Sequence, residues 1–298
     1  MSIVLPLLVD GLAEAALIFF VAVGLTLVFS VLRILNVAHG SFYSIGAYVA
    51  VLLGTWVIGR GYAPALTLLS MLLAAALVAV VLGPAIERSF VRWTYGRPEA
   101  VQILVTFALF LIFEDLQKLA FGVQPYSQDA PMQLLGVSSI AGVVYLNYSI
   151  ALIVLAVAVA AGLRLLLART RFGKLVTAVV ADREVAQTLG INTERVFVSA
   201  FTLGVFLAAL GGALASATSG VAPGLGAEAI VLGFAVAAIG GLGQIEGALL
   251  AAVIVGISRV VAIYFMPELQ PVAPYLVMLT VLLVRPFGLF GSPAMRRL

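Results

Sequence analysis

Cysteine is absent from this 298-residue sequence, and histidine occurs once, as His39. The lack of cysteine excludes disulfides and thiolate metal sites, and one histidine is too few for a histidine metal centre. A Ser/His/Asp or Cys/His set cannot be assembled from these residues, so we do not expect an enzyme. We expect His39 to be a structural donor that fixes the turn around it, with a proton relay as the alternative.

Charge is also scarce. Charged residues make up 10% of the chain against 63% hydrophobic residues, and the mean hydropathy is +1.22. Such a composition excludes a soluble globular domain. Uncharged runs long enough to cross the hydrocarbon of a membrane recur, and the longest are 15–32, 41–59, 61–86, 130–163 and 196–227. Because these runs do not alternate as the strands of a membrane barrel do, we predict an all-α, polytopic helical membrane protein.

The spacing of the apolar runs predicts about eight or nine transmembrane helices in one domain, residues 1–298. The predicted helices are 7–32, 40–58, 63–84, 99–120, 145–167, 197–217, 227–243, 247–266 and 273–290. The count depends on two regions, 7–40 and 218–247, where a re-entrant segment would change it. No basic residue precedes Arg33, so we expect the first segment to be a retained helix rather than a cleaved signal peptide.

Lys and Arg are distributed unevenly among the predicted loops. If the N-terminus lies outside, all of the 16 basic residues except Arg60, Lys118 and Arg259 fall on the cytoplasmic side. Because loops rich in Lys and Arg stay in the cytoplasm, we expect an outside N-terminus and a cytoplasmic C-terminus. In a membrane protein, a net charge of +3 reflects this orientation and does not indicate binding of nucleic acid.

One polar segment, residues 169–195, lies among the apolar runs on the predicted cytoplasmic side. Apolar residues recur in it at helical intervals, namely Leu175, Val179, Val185, Ala186 and Leu189. This amphipathic pattern predicts a short helix with an apolar stripe, and we expect Gly190 to end it as a C′ glycine. A polar segment of this length inside a membrane protein indicates contact with a partner in the water phase.

Two glycine-containing breaks, residues 36–41 and 240–247, interrupt the apolar sequence. The candidate pathway residues in these breaks are Asn36, His39, Gly40, Ser41, Gly240, Gly241 and Gly243. Glycine permits positive φ and close approach of backbones, and broken helices in transporters offer free N–H and C=O groups to polar substrates. The alternative is that both breaks are tight cytoplasmic turns, with Asn36 and Ser41 as N-caps.

A carrier driven by an ion gradient normally has ionisable groups deep in the membrane. Arg259 is the one charged residue that the predicted helices place in a core, because Glu14, Glu228 and Glu246 fall near helix ends. We expect Arg259 to snorkel or to pair with another helix, and contact with a substrate carboxylate is the alternative. Since the predicted cores hold no acid, a neutral, zwitterionic or anionic cargo is favoured over a cation.

Several short strings occur in order along the chain. They are Gly24-Leu25-Thr26-Leu27-Val28, Asn36-Val37-Ala38-His39-Gly40, Arg169-Thr170-Arg171-Phe172-Gly173, Leu189-Gly190-Ile191-Asn192, Gly240-Gly241-Leu242-Gly243 and Leu283-Val284-Arg285-Pro286-Phe287-Gly288-Leu289-Phe290-Gly291. Over nearly its whole length the chain thereby resembles the permease subunits of bacterial branched-chain amino acid ABC importers of the Liv type. Residues 184–190 are also similar to the E-A-A-x-x-x-G loop through which such permeases engage their ATPases, with Val185 in place of the middle alanine.

The resemblance implies a coupling segment that includes Arg171, Gly173, Glu184, Ala186 and Gly190. The implied partners are a second permease subunit, two ATP-binding subunits, a periplasmic solute-binding protein and the lipid bilayer of a bacterial inner membrane. This chain has no G-x-x-x-x-G-K-[ST] phosphate loop. ATP and Mg²⁺ are therefore expected on the partner ATPases, and no cofactor is expected on this chain.

The function implied by the resemblance is import of branched-chain or other hydrophobic amino acids by alternating access, driven by the separate ATPases. Related systems carry urea, short amides, or aromatic and other carboxylic acids, and these cargoes stay open as alternatives. An ion-coupled secondary carrier that works alone is the alternative from a different class. Copurification with an ATPase would separate the two classes.

Overall fold

The computed structural model describes residues 3–140 and 143–291. Its α-helices are α1 (Val4–Leu32), α2 (His39–Gly59), α3 (Leu66–Ile86), α4 (Glu99–Phe121), α5 (Ala130–Leu135), α6 (Asn147–Arg169), α7 (Arg171–Ala181), α8 (Arg183–Thr188), α9 (Thr193–Ala215), α10 (Leu225–Gly240), α11 (Ile245–Phe265) and α12 (Ala273–Val284). A π-helical turn (Glu87–Val91) and a 3₁₀ turn (Arg92–Thr94) extend α3, and another 3₁₀ turn (Pro267–Leu269) follows α11. Residues 1–2 and 292–298 of the predicted domain lie outside the described residues, and so do Arg296 and Arg297, which contribute to the predicted orientation.

Six helices in the described residues are long and apolar enough to cross a membrane: α1, α2, α3 with its extension, α6, α9 and α11. Two further apolar helices, α10 and α12, have 16 and 12 residues. Each predicted helix has a counterpart, so the all-α membrane fold is confirmed. The last helix is shorter than predicted because the chain after Val284 folds back, and the Leu289 N–H donates to the Ile239 carbonyl at 2.7 Å.

A small hairpin precedes α6, in a region that the sequence analysis treats as one apolar run. Strands β1 (Val137–Ile140) and β2 (Val143–Leu146) pair antiparallel, with Val137 opposite Leu146. Gly136 ends α5 at a φ of 65°, a conformation that L side chains rarely adopt. The Asn147 side chain then donates to the Leu135 carbonyl at 2.8 Å and ties the start of α6 to α5.

The core is built around α1. Neighbouring helices bury 89% of its most apolar stretch. Its contact with α9 depends on glycine, because a Cβ at Gly24 would lie 2.6 Å from the Gly204 carbonyl oxygen and 2.8 Å from His39 Nε2. Small residues allow such close approach in lipid, where packing rather than hydrophobic burial holds helices together. Gly24, His39 and Gly204 therefore meet in the interior of the bundle.

The two ends of the bundle contain different parts of the chain. At one end, the C-terminus of α1, the α10–α11 turn and the α7–α8 junction border a common space, lined by Phe29, Leu242 and Asp182. At the other end, α1 begins beside the C-terminus of α11, where the Tyr264 hydroxyl hydrogen-bonds to Asp10 Oδ2 at 2.8 Å. We call these the α8 end and the Asp10 end.

The connection between α1 and α2 re-enters the bundle. Gly24 lies well before the end of α1, about 12 Å from Leu32 by helical rise. His39, the first residue of α2, nevertheless lies against Gly24. Residues 33–38 therefore turn back from the α8 end into the core, where Asn36 is fully buried. The re-entrant segment that the sequence left open within 7–40 exists as a stretch of non-helical chain.

The N-terminus of α10 lies next to the N-terminus of α2. Gly226 is in the first turn of α10, and a Cβ at this position would lie 2.7 Å from the Gly40 carbonyl oxygen in α2. The N-termini of α2 and α10 thus both lie within the bundle rather than at its surface. Non-helical backbone is tolerated at this depth only where protein or a cavity surrounds it.

Candidate functional site

A cavity of about 320 Å³ lies between α1, α2, α10 and α11, one helical turn inward from Asp10. Its apolar wall is formed by Leu17, Ile18, Val21, Leu225, Leu232 and Ile263, and its polar wall by Glu14, Tyr43, Glu228, Arg259 and Gln270. Pockets of about 300–1,000 Å³ with a few convergent polar groups are typical small-molecule sites. We call it the Glu14 cavity.

Arg259 lies at the centre of the polar wall. Its Nη1 is 2.7 Å from Glu14 Oε1 on α1, and its Nη2 contacts Glu228 Oε1 on α10. When the Gln270 side-chain amide is oriented with its oxygen towards the guanidinium, that oxygen accepts a further hydrogen bond from Arg259 Nη2 at 3.0 Å. The Arg259 side chain is only 14% exposed, whereas Glu228 is 57% exposed. Three charges from three helices thus face one cavity.

These contacts confirm one expectation and overturn another. Arg259 pairs with other helices, as predicted. The expectation that the cores hold no acid is wrong, because α1 begins at Val4 and Glu14 lies about 15 Å along it by helical rise. Glu228 does lie at a helix end, but α10 begins inside the bundle. Glu246 lies at the start of α11 and pairs with Arg164 at 3.4 Å.

A second, larger cavity of about 870 Å³ lies at the α8 end, and we call it the Arg183 cavity. Its walls combine the end of α1, the start of α4, the α7–α8 junction and the start of α9. On α1, Val21 lines the Glu14 cavity and Phe29 lines the Arg183 cavity. The residues between them are buried, and they include Gly24 in its contact with His39 and Gly204. This contact separates the two cavities, and we call it the His39 constriction.

The predicted N-caps at the first break are wrong. Ala38 occupies the N-cap position of α2 and makes no side-chain capping bond. The side chains of Asn36 and Ser41 are buried, and neither has a hydrogen-bond partner among the described residues. Asn36 lies in the re-entrant segment and Ser41 in the first turn of α2, and both are packed inside the bundle instead of facing water. Unpaired buried polar groups are rare enough in proteins to need a reason.

Thr106 of α4, which the sequence analysis missed, holds the re-entrant segment. Its Oγ1 accepts a hydrogen bond from the Val37 N–H at 3.2 Å and lies 3.3 Å from the Leu35 carbonyl. His39 plays a smaller part in the turn than expected. Its backbone N–H donates to the Asn36 carbonyl at 3.2 Å, but its imidazole points into the core against Gly24.

The second break forms a tight turn at the α8 end. Gly241 and Gly243 have φ values of 97° and 86°, so glycine fits both positions best. Phe290 donates from its N–H to the Gly240 carbonyl at 3.2 Å, so the chain after α12 covers the end of α10. The structure does not bring these glycines together with Arg259, which lies towards the Asp10 end. The turn interpretation suits this break, and its part in a pathway stays a prediction.

The polar segment forms two helices rather than the one predicted. Asp182 separates α7 from α8, and its Oδ1 accepts hydrogen bonds from the N–H groups of Glu184 at 2.9 Å and Val185 at 3.0 Å. An aspartate at an N-cap starts a new helix in this way. The apolar stripe is divided accordingly: Val179 and Ala186 are buried, whereas Leu175, Val185 and Leu189 are exposed.

Gly190 ends α8 as expected. Its φ is 81°, its N–H donates to the Gln187 carbonyl at 2.9 Å, and the Ile191 N–H donates to the Ala186 carbonyl at 3.0 Å. These two bonds define a Schellman motif with glycine at C′. Leu189 beside it is 75% exposed. Of the other coupling residues, Arg171 and Glu184 are exposed, and Gly173 is buried where α7 meets α6.

Arg183 joins α8 to the membrane helices. Its guanidinium carbon lies 5.0 Å from the Phe197 ring centroid and 5.8 Å from that of Tyr95. The Tyr95 hydroxyl donates to Oε1 of the fully buried Glu87 at 2.7 Å, and Arg92 Nη2 pairs with Glu87 at 3.3 Å. Burial and the hydrogen bond to Glu87 raise the pKa of Tyr95 far above its usual range, so this hydroxyl stays a donor.

The family described as "Branched-chain amino acid transport system / permease component" matches residues 7–284. The chain belongs to this family. Three relatives are similar over nearly their full lengths. The high-affinity branched-chain amino acid transport system permease protein BraD of Pseudomonas aeruginosa is 29% identical, with 97% of this chain and 96% of the relative covered. LivH of Escherichia coli (strain K12), a permease protein of the same description, is 26% identical over the same shares.

The third relative is the probable branched-chain amino acid transport permease protein LivH of Methanocaldococcus jannaschii. It is 28% identical, with 92% of this chain and 89% of the relative covered. Among solved structures, a chain of PsaBC from Streptococcus pneumoniae in complex with Fab matches with a TM-score of 0.48 and 12% identity, over 92% of this chain and 89% of that chain.

Sequence reasoning missed several residues of the Glu14 cavity. Glu14 itself gives a signal, because an acid inside a long apolar helix is expensive to bury and marks a functional candidate. Tyr43 lies one turn after His39 in α2, but nothing in the sequence shows that the start of this helix is buried. Gln270 lies in a connection after α11 and gives no signal in the sequence.

Proposed function

We propose that this permease is the membrane subunit through which an ATP-driven importer moves hydrophobic amino acids. One observation carries the proposal: two cavities approach each other from opposite ends of one helix bundle and are separated by the His39 constriction. Alternating access needs such an arrangement, because a small rocking of packed helices then transfers the barrier from one cavity to the other. The pathway passes Asn36, His39, Gly40 and Ser41, next to the inward-lying start of α2.

The driving force comes from two ATP-binding subunits that dock at α8. This is supported by Val185 and Leu189, two apolar side chains that α8 leaves exposed beside Glu184. Arg183 connects the same helix to the wall of the Arg183 cavity. ATP and Mg²⁺ bind to those subunits, and a second permease subunit and a periplasmic solute-binding protein complete the importer. The printed descriptions of BraD and LivH as permease proteins of transport systems support a multi-subunit assembly.

The α8 end faces the cytoplasm of a bacterial inner membrane, and the N-terminus lies outside. The support is the concentration of basic residues in the loops of the α8 end. A topology reporter fused after Arg183 is expected to report the cytoplasm, and one fused near Gln128 is expected to report the outside. The reverse result at both positions would overturn the orientation and the role of α8 with it.

The cargo is a small amino acid with an apolar side chain. The aliphatic wall of the Glu14 cavity suits such a side chain, and the relatives are described as transporting branched-chain amino acids. The test is uptake by the complete complex in proteoliposomes with saturating binding protein. ATP-dependent uptake of leucine or valine, with lysine excluded, is expected. Preference for lysine, urea or an amide, or uptake driven by an ion gradient without ATP, would refute the proposal.

A further inference from the structure

The Glu14, Arg259 and Glu228 side chains form a charged cluster whose members differ in accessibility. Arg259 is 14% exposed and pairs with Glu14 at 2.7 Å, while Glu228 is 57% exposed and also lines the cavity. A guanidinium has five donors in a rigid fork and can hold two carboxylates at once. Glu228, at 57% exposed against 30% for Glu14, is the more accessible of the two carboxylates on Arg259.

A purely structural role explains the cluster poorly. Removing charges from water is expensive, and apolar residues of similar volume hold helices together at least as well as a buried ion pair does. The surrounding wall is already aliphatic, with Leu17, Ile18 and Leu232 around the charged groups. Ionisable groups at membrane depth that face a cavity are more often part of a substrate path.

We propose that Glu14, Arg259 and Glu228 form the head-group site for a zwitterionic amino acid, which binds by exchange of ion pairs. This inference rests on the proposed function and adds the residues that read the charge of the cargo. The substrate carboxylate takes the place of Glu228 on Arg259, Glu14 remains the fixed partner of Arg259, and the released Glu228 binds the substrate ammonium. Each charge in the cavity then has an opposite charge beside it, both before and after binding.

Ion-pair exchange also accounts for selectivity between cargo charges. A molecule with a carboxylate alone would displace Glu228 and leave it without a partner. A molecule with an ammonium alone would pair with Glu228 and leave Arg259 paired with Glu14, which balances the charges, but the Arg259 donors that Glu228 releases would find no carboxylate. A second charge on the side chain would face the aliphatic wall, where desolvation is unfavourable. Only a zwitterion with an apolar side chain satisfies both the polar and the apolar walls of the Glu14 cavity.

The decisive variant replaces all three charged residues by methionine, E14M/E228M/R259M, because no single charge is then left unpaired. Uptake of leucine is measured in proteoliposomes that contain the complete complex and saturating binding protein. We expect the variant complex to assemble, as shown by copurification of its subunits, while leucine uptake falls more than about tenfold. Uptake within twofold of wild type would overturn the inference.

Glu228→Gln is the second variant, because an exposed position tolerates it even if the triple variant fails to assemble. It is expected to lower leucine uptake about tenfold, since the ammonium loses its charged partner. The control is Lys118→Gln, which breaks a pair with Asp115 at 3.3 Å on α4, outside the cavity, and should leave uptake unchanged. Normal uptake by Glu228→Gln would also overturn the inference. If the wild-type complex transports no leucine, the proposed function itself fails, which separates the two outcomes.

Discussion

Each end of this bundle carries an arginine between two acids. At one end the least exposed member of the cluster is the arginine, and at the other it is an acid. At the Asp10 end the arginine is largely buried, and it faces the Glu14 cavity together with both of its acids, Glu14 and Glu228. At the α8 end the acid Glu87 is fully buried, and Arg92 reaches outward from it to Glu194 at 3.0 Å. An ion pair does not by itself mark a binding site. The two clusters differ in their surroundings, because Arg259 and its acids line the Glu14 cavity, whereas Glu87, Arg92 and Glu194 do not line the Arg183 cavity.

The largest expected effect comes from disturbing the α8 end while leaving the Glu14 cavity intact. In Gly190→Val, a β-branched residue must adopt a φ of 81°, at a cost of about 1–3 kcal/mol. The hydrogen bonds of the Schellman motif should break, and α8 should shift from its position beside α9. The variant is expected to insert normally, but uptake and substrate-stimulated ATP hydrolysis should fall more than about tenfold. Both are measured in proteoliposomes.

Gly162→Val is the matched control for this prediction. A Cβ at Gly162 in α6 meets nothing within 4 Å, as at Gly190, but the backbone there is helical. Equal uptake by Gly190→Val and Gly162→Val would show that the end of α8 is not needed for transport, and the functional contrast between the two ends would be lost.

An intermediate effect is expected at the His39 constriction, which lies between the two ends. A Cβ in Gly24→Ala would lie 2.6 Å from the Gly204 carbonyl oxygen, so α1 and α9 must move apart. Overpacking of this kind destabilises a core by about 1–3 kcal/mol. The melting temperature in detergent should fall. In the control Gly233→Ala, the new Cβ has its nearest neighbour, Val21 Cγ1, at 3.5 Å. Equal melting temperatures would contradict the tight constriction.

The smallest effect is expected from Arg183→Gln, which removes a cation from above the Phe197 and Tyr95 rings. Cation–π contacts at exposed sites contribute about 0.5–1 kcal/mol. The melting temperature should fall slightly, and stimulated ATP hydrolysis should fall if Arg183 connects α8 to the bundle. Arg195→Gln is the control, since no ring contact is found for Arg195 among the described residues. Identical behaviour of the two variants would remove Arg183 from the coupling route.

The helices could be predicted from the sequence because each one needs a long apolar run in lipid, and the runs end at charges or glycines. The end of α8 could be predicted as well, since few residues other than glycine accept the backbone of position 190. How far inside the bundle a helix such as α2 or α10 begins could not be predicted. An apolar sequence such as that around His39 is equally suited to the surface of the bundle and to its centre. The Glu14 cavity depends on that depth, because α10 carries Glu228 inward to Arg259.

The pair between Glu14 and Arg259 also has a consequence for synthesis of the chain. The two residues are 245 positions apart, so α1 enters the membrane long before its partner has been made. An acid near a helix centre disfavours insertion by about 2.5–3.5 kcal/mol, and α1, which also carries Asp10, offsets this cost with its long apolar sequence. Until α11 has been made, Glu14 lacks its partner Arg259. A chain that stops before Arg259 thus lacks the residue that pairs with Glu14 in the finished protein.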